Sequence, residues 1–443
     1  MPTTVTFHEY ATLDDAGRAA LLKRTEGDLG PILEAAKPII EAVRDEGDAA
    51  LARFANQFDK SPVTADAIAA TPADFDAAFD AVDREMIEVL EFCSDNVRRF
   101  HQAQMPEEMW WKEMHPGVFA GEKVVPIDSV ACYVPRGKGS FPSVVMMTTI
   151  PAVVAGVGRP FIVTPPGPDG KVDAATLVAA RIAGVEEVYK CGGAQGVAAV
   201  AYGTETVPRA PKMVGPGSPW VVAAKRLLSD RLDPGTPAGP SESIILADET
   251  ANGRVAALDL LIESEHGPDS SAWLVTNSRS VAEDALAAIP GYWAAMGEER
   301  TGFSQAVLCG PRGGVILTPD FGAAIDFVNA YAPEHLQIHA EVPQDYLGAI
   351  RNAGEILLGA HTPICIGNFT LGPNAVLPTN AAALTHSPLG VHAYLKTIGL
   401  GHVTRRGYDL LAPKAKRFAE YEGFDAHANA VSAMRDAAFG NEG

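Results

Sequence analysis

Cysteine is scarce in this chain and poorly placed for structural work. The 443 residues hold five, Cys93, Cys132, Cys191, Cys309 and Cys365, scattered and odd in number, with no C-x-x-C pair. That pattern argues against a disulfide framework and against a cysteine-built zinc cluster. Cys132 and Cys191 fall where strands are expected to end, a place that could suit a nucleophile, but both are read as small buried hydrophobes. Basic charge is also short: 35 Lys and Arg against 55 Asp and Glu leave a net charge of -20. This is the wrong sign for a nucleic acid or an anionic membrane surface. Long apolar runs are lacking as well. The most apolar, Val144 to Val157, is interrupted by Thr148, Thr149 and Pro151 and is too short to span a bilayer. No basic and apolar leader opens the chain, so a soluble, cytoplasmic protein is expected.

What is present is ordinary globular material, 47% hydrophobic and 20% charged, long enough for two or three domains. Residues 1–120 read as mainly helical, with apolar residues at helical spacing over Pro31–Phe58 and Asp74–Met105, and are expected to serve packing or dimerisation. From about 123 the rhythm changes. Short β-rich runs (Ser129–Val134, Pro160–Thr164, Glu186–Lys190, Lys212–Val214) alternate with Gly-rich turns and Ala/Val-rich helices. A second set (Ser243–Ala247, Ala272–Thr276, Gly314–Thr318, Glu355–Leu358) follows the turn-rich connector Asp233–Pro240. Such alternation predicts parallel α/β sheets with helical crossovers. Beyond about 380 the pattern is mixed and then helical, ending in a helix around Ala426–Ala438. The expected division is 1–120, 121–237, 238–380 and 381–443.

One stretch organises the chemistry, Asp259-Leu-Leu-Ile-Glu-Ser-Glu-His-Gly-Pro-Asp269. Val255, Leu258, Leu261 and Ile262 recur at helical spacing and Gly267-Pro268 stop the helix. Glu263 and His266, three apart, share a face near its C-terminal end. They suit a divalent metal if the fold brings further ligands, and are otherwise a surface pair. Three turns, Pro135–Gly139, Gly192–Gln195 and Gly215–Ser218, follow strands of the first half. Backbone amides and helix N-termini there favour anions, so a phosphate-bearing cofactor is plausible although no G-x-G-x-x-G fingerprint exists. Glu334-His335 offers two adjacent proton carriers of different pKa. His427 sits near the last helix with Glu422 close by, His386 has no evident partner, and Asn368 and Asn374 lie in a long irregular loop where turns commonly use Asn.

Taken together, Gly192-Gly-Ala-Gln195, Val214-Gly-Pro-Gly217, Ala238-Gly-Pro-Ser-Glu242, Glu265-His-Gly-Pro-Asp269, Tyr331-Ala-Pro-Glu-His-Leu336 and Val376-Leu-Pro-Thr379 closely resemble the histidinol dehydrogenase family, over roughly residues 120–435. The resemblance implies two Rossmann-like parallel α/β domains in an intertwined homodimer. It also implies zinc- and NAD-dependent oxidation of an amino alcohol to the acid in two hydride steps. Carried over, the zinc ligands fall at Glu263, His266, Asn368 and His427, the last from the partner subunit. The acid–base pair falls at Glu334 and His335, substrate contacts at Ser241 and Glu422, and NAD contacts at Tyr133, Gln195 and Ser218.

The chain departs from the family pattern at five positions. Glu263 stands where histidine-making members have Gln, and Asn368 where they have Asp. The pair of exchanges keeps one anionic and one amide ligand. Ala375 replaces a substrate-contacting His, and a site that loses a polar partner loses affinity for the substrate that used it. In the loops, Arg136-Gly137 replaces Gly-Gly and Ser218 replaces Asn. Arg136 is either an anion receptor for the substrate or a solvated loop residue. Histidinol is therefore the family default. A paralogue acting on another polar alcohol, such as a dihydroxypropanesulfonate, and a metal-binding but inactive interaction protein are the alternatives.

Overall fold

Two parallel sheets, each flanked by helices, carry the chain. The computed structural model describes residues 4–24, 29–136 and 139–439. Compactness divides these into two units, Met1–Gln104 with Asp128–Tyr394, and Met105–Ile127 with Leu395–Gly443. This is a different partition from the one composition suggests.

In the first sheet the strands lie in the order Val188–Lys190, Arg159–Thr164, Ser129–Tyr133, Met213–Val214, all parallel. The winding reverses beside Ser129–Tyr133, which opens a crevice at the carboxyl ends of that strand and of Met213–Val214. Helices cover both faces, so Phe161, Ile162 and Val163 are all buried and the strand reads as a continuous apolar run. The N-terminal helices are part of this core rather than a separate domain: Ile39, Ile40, Leu51 and Phe54 pack with Tyr189, Val197 and Leu228.

The second sheet runs Phe7–Glu9, Gly313–Leu317, Ser271–Thr276, Glu242–Ala247, His335–His339, Glu355–Leu358, again all parallel. Two of these strands escape the sequence pattern. Phe7–Glu9 is three residues at an edge, too short for periodicity to register. His335–His339 alternates two histidines and a glutamine with Leu336 and Ile338, and the preceding Pro333 suggests a turn, yet all five residues are buried. The polar ones are accommodated by partners on the covering helix.

That helix, Gly253–Ser264, starts at Asn252, whose side-chain oxygen accepts from the amides of Arg254 and Val255. It returns antiparallel to Glu242–Ala247, so its last turn lies at the amino edge of the sheet. The apolar periodicity misassigns its inner face. Leu258 is 47% exposed, whereas Asp259 and Glu263 point inward.

The second unit is an antiparallel sheet, Leu395–Val403, Val118–Pro126, Met109–His115, followed by helices Arg405–Glu422, Asp425–Ala430 and Ala433–Ala438. These strands replace the helical or mixed structure expected there. The outer two are largely exposed within the chain, so no buried face imprints a period of two. The single final helix is two, broken at Val431-Ser432, where Ser432 caps the second. Among the described residues no helix is long and apolar enough to cross a membrane.

Candidate active site

Of the three turns anticipated after first-half strands, Gly192–Gln195 and Gly215–Ser218 open at one edge, the carboxyl ends of the parallel strands, while residues 137 and 138 of Pro135–Gly139 lie outside the described residues. Tyr133 ends its strand buried, and its hydroxyl accepts from the amide of Gly193 at 3.1 Å. Burial pushes the phenol well above its usual range. Gln195 is buried in the first turn of Gly193–Tyr202. Ser218 precedes Pro219–Leu227 without spending its exposed side chain on the cap. Gly215 joins the edges: its φ is +106°, and a Cβ there would stand 2.3 Å from the Tyr133 carbonyl oxygen, so no other residue fits. The buried Lys225 donates to the Gly215 carbonyl at 3.1 Å, and burial lowers its amine to about 8. Two helix N-termini thus open beside a tightly set turn, a concentration of partial positive charge suited to a phosphate. Arg136 follows the same strand, but its guanidinium donates to the Lys171 carbonyl at 2.9 Å and packs on Gly167. It is not among the residues that line the neighbouring cleft; Gly137 lies outside the described residues. Cys132 and Cys191 are buried, as read, and burial raises both thiols, that of Cys132 to about 12.

Facing that edge is the amino edge of the second sheet, and a cleft of about 410 Å³ lies between them, with Pro135, Met147 and Gly217 on one side and Glu263, Glu334 and His335 on the other. Chain geometry places the polar group. Ser241 immediately precedes one strand, His335 begins the next, and the returning helix delivers Glu263. Glu263 is 1% exposed. Its Oε2 lies 3.0 Å from His266 Nδ1, and its Oε1 accepts from Asn368 Nδ2 at 3.1 Å. His266 sits two residues beyond the helix end yet still reaches it. His335 Nε2 stands 4.0 Å from Glu263 Oε1 and 3.8 Å from Glu334 Oε1, while its Nδ1 is 2.5 Å from Glu355 Oε1. Glu334 Oε2 accepts from the Glu242 amide at 2.9 Å.

Four carboxylates, those of Glu242, Glu263, Glu334 and Glu355, therefore converge with few cations. Burial pushes Glu334 up to about 8, with Glu263 and Glu242 adding to the shift against the pull of His335. Burial opposes charge on His335, but Glu263, Glu334 and Glu355 outweigh it and raise the imidazole to about 10. Burial likewise opposes charge on Glu263, and His335, His266, Asn368 and Ser241 together hold it below its ordinary value. Arg24 partly compensates: it donates to Glu242 Oε1 at 2.8 Å and stacks 3.9 Å from the Tyr331 ring centroid. Glu242 Oε2 remains buried without a partner.

The surplus of negative charge, with oxygen and imidazole donors touching one another, fits a divalent cation held by Glu263, His266 and Asn368. Among the described residues no group of three or more His, Cys, Asp or Glu side chains forms a metal site. The candidate set has two such residues and an amide. The fourth expected ligand, His427, and Glu422 belong to the second unit, where both are exposed. His386 is exposed, and its ring Nδ1 meets the Thr385 hydroxyl at 2.9 Å.

Some of the supporting residues carry no signal in the sequence. Asn374, read as a turn residue, donates to the Met147 carbonyl at 2.6 Å, meets the buried His101 at 3.3 Å and accepts from the Val376 amide. It pins the wall that presents Ala375 to the cleft. His101 and Arg24 come from a region where no chemistry was expected, and only their burial in the fold reveals them. For Glu355 a weak signal existed, a charged residue opening an otherwise apolar strand.

The family model described as histidinol dehydrogenase matches residues 22–435. A histidinol dehydrogenase homolog of Cereibacter sphaeroides is 63% identical over 434 residues, covering 98% of each chain. One of Colwellia psychrerythraea is 59% identical over 442 residues, covering 100% of this chain and 99% of its own. A histidinol dehydrogenase of Synechocystis is 47% identical over 411 residues, covering 93% and 94%. The crystal structure of histidinol dehydrogenase from Elizabethkingia anophelis superposes with a TM-score of 0.92 at 30% identity, covering 98% of each chain.

Proposed function

Because the chain belongs to the histidinol dehydrogenase family and is an NAD-dependent dehydrogenase of that type, we propose that it oxidises a small polar alcohol to the acid with zinc and NAD. The observation that supports this most is the placement of Glu334 and His335 across one cleft from the cofactor-type turns, beside Glu263, His266 and Asn368. Zinc held by those three residues, with His427 as a fourth ligand, would supply the positive charge the carboxylates lack and a Lewis acid for the alcohol oxygen. NAD along Tyr133, Gln195 and Ser218 would accept the hydride.

The chain's own groups handle protons. His335, relieved of its duty as counter-ion, turns Nε2 to the cleft and takes the alcohol proton as hydride leaves carbon. Glu334, whose carboxyl burial raises to about 8 and whose ionised form a cation held beside it would favour, then removes a proton from the water that adds to the aldehyde, and a second hydride transfer completes the acid. Ser241 and Glu422 orient the substrate. The protein acts as a homodimer in the cytoplasm.

L-Histidinol is the default substrate. A second reading, another polar alcohol such as a dihydroxypropanesulfonate, is favoured by Ala375, which lines the cleft with a methyl group where histidinol oxidation in the family uses a histidine. The deciding measurement is NAD reduction by zinc-loaded enzyme on histidinol and a panel of polar alcohols. Two NADH per histidinol support the default. Activity confined to another alcohol supports the second reading. No turnover on any of them, with zinc bound, rejects the dehydrogenase assignment in favour of an inactive interaction protein. In an active enzyme, His335→Asn lowers kcat by about 10²- to 10⁴-fold.

A further inference from the structure

Glu355 opens the edge strand Glu355–Leu358 directly opposite His335 in the parallel register. Side chains at paired positions of adjacent strands project from the same face, so the ladder itself sets the carboxylate beside the imidazole. Its Oε1 lies 2.5 Å from His335 Nδ1, and its side chain is 8% exposed. The short helix Ile364–Phe369 closes the other side. Gly367 passes so near that a Cβ there would stand 3.2 Å from both Glu355 oxygens. Glu355 is not among the residues lining the cleft, so its influence on a substrate runs through the ring it touches.

We propose that Glu355 is a positioning residue: by accepting the Nδ1–H of His335 it fixes the tautomer and rotation of the ring and turns the Nε2 lone pair toward the cleft. A carboxylate only accepts, and the ring, once neutral to act as the base, carries one N–H, so this contact keeps that proton on Nδ1 and leaves Nε2 to receive another. Without it the ring is free to flip or to carry its proton on Nε2, where the alcohol proton must go. The inference rests on the reading of His335 as the base.

The test compares Glu355→Gln and Glu355→Asp with the wild type, all full-length and zinc-loaded. The Gln variant keeps shape but loses the charge. Its kcat is expected to fall ten- to hundredfold, with KM within about twofold and zinc content unchanged, and the Asp variant recovers part of the loss. Proton NMR of enzyme labelled with ¹⁵N-histidine gives a readout independent of turnover. A far-downfield Nδ1 proton is expected in the wild type and lost in both Glu355→Gln and His335→Asn. An unchanged kcat in Glu355→Gln, or a change confined to KM, overturns the proposal, as does absence of that proton from the wild type. Should the wild type oxidise no alcohol, the proposed reaction fails by itself, and the NMR arm still decides whether Glu355 holds the ring.

Discussion

Asp59 ends the helix Asp48–Phe58 with one carboxylate oxygen, Oδ2, buried and without a hydrogen-bond partner. Burial raises its pKa to about 6, against the attraction of Arg136. The folded chain therefore holds this proton more tightly than the unfolded chain does. The stabilisation is complete below the unfolded value near 3.8 and disappears as pH rises through about 6. Asp59→Asn keeps the shape and removes the titration. Relative to this variant, the wild type is expected to lose about 1–2 kcal/mol between pH 4 and 7, a figure discounted because the group is partly hydrated. Parallel denaturation curves at pH 4, 5 and 7 check it, and a constant difference refutes it. At this scale the sequence is legible only where chemistry and local spacing coincide. Glu263 and His266 stand three apart and Glu334-His335 are neighbours, so each pair announces itself. Glu355, twenty residues from the histidine it touches, becomes a partner only once strand register is known.

The helix Gly253–Ser264 and the strand His335–His339 meet through two polar rungs. Residues 259 and 263 share a helix face, and residues 335, 337 and 339 share a strand face. One rung is Glu263 with His335. The other is Asp259 Oδ2, which accepts from Gln337 Nε2 at 2.8 Å and lies 2.9 Å from His339 Nε2, all three residues buried. The second rung locks the axial register of helix against strand, and with it the separation of Glu263 from His335. Asp259→Ala strands the buried His339 Nε2 and leaves Gln337 Nε2 only the Gly359 carbonyl at 3.3 Å, and is expected to cost about 2–4 kcal/mol, whereas Leu258→Ala on the solvent side costs under about 0.5 kcal/mol. Equal losses in chemical denaturation would mean that the rung does not bear on stability. These polar contacts also explain why the strand was hard to recognise: its inward face reads as histidine and glutamine. The apolar strands of both sheets, by contrast, were legible almost to the residue, because burial on two faces writes a continuous hydrophobic run.

At the scale of the whole molecule, the second unit keeps apolar side chains in water. Phe418 is 67% and Tyr421 81% exposed on Arg405–Glu422, with Trp111, Ile398, Phe424 and Met434 also exposed within this unit. A helix ordinarily buries its apolar stripe, and large exposed aromatics on one small unit mark an interaction surface. His427 and Glu422 lie on the same stretch of chain, exposed beside these aromatics. A second copy covering this unit would bury the aromatics and take the two polar residues out of bulk water at once, and would tie assembly to the completion of the proposed metal and substrate sites. The expected solution state is therefore a homodimer, seen by sedimentation at micromolar concentration. The double variant Phe418→Glu, Tyr421→Glu should sediment as a monomer with native circular dichroism, bind zinc at least tenfold more weakly as a ligand is lost, and lose turnover in proportion. A monomeric variant that retains full zinc affinity and activity would show that His427 and Glu422 need no partner, and a wild type that sediments as a monomer would remove the dimer altogether.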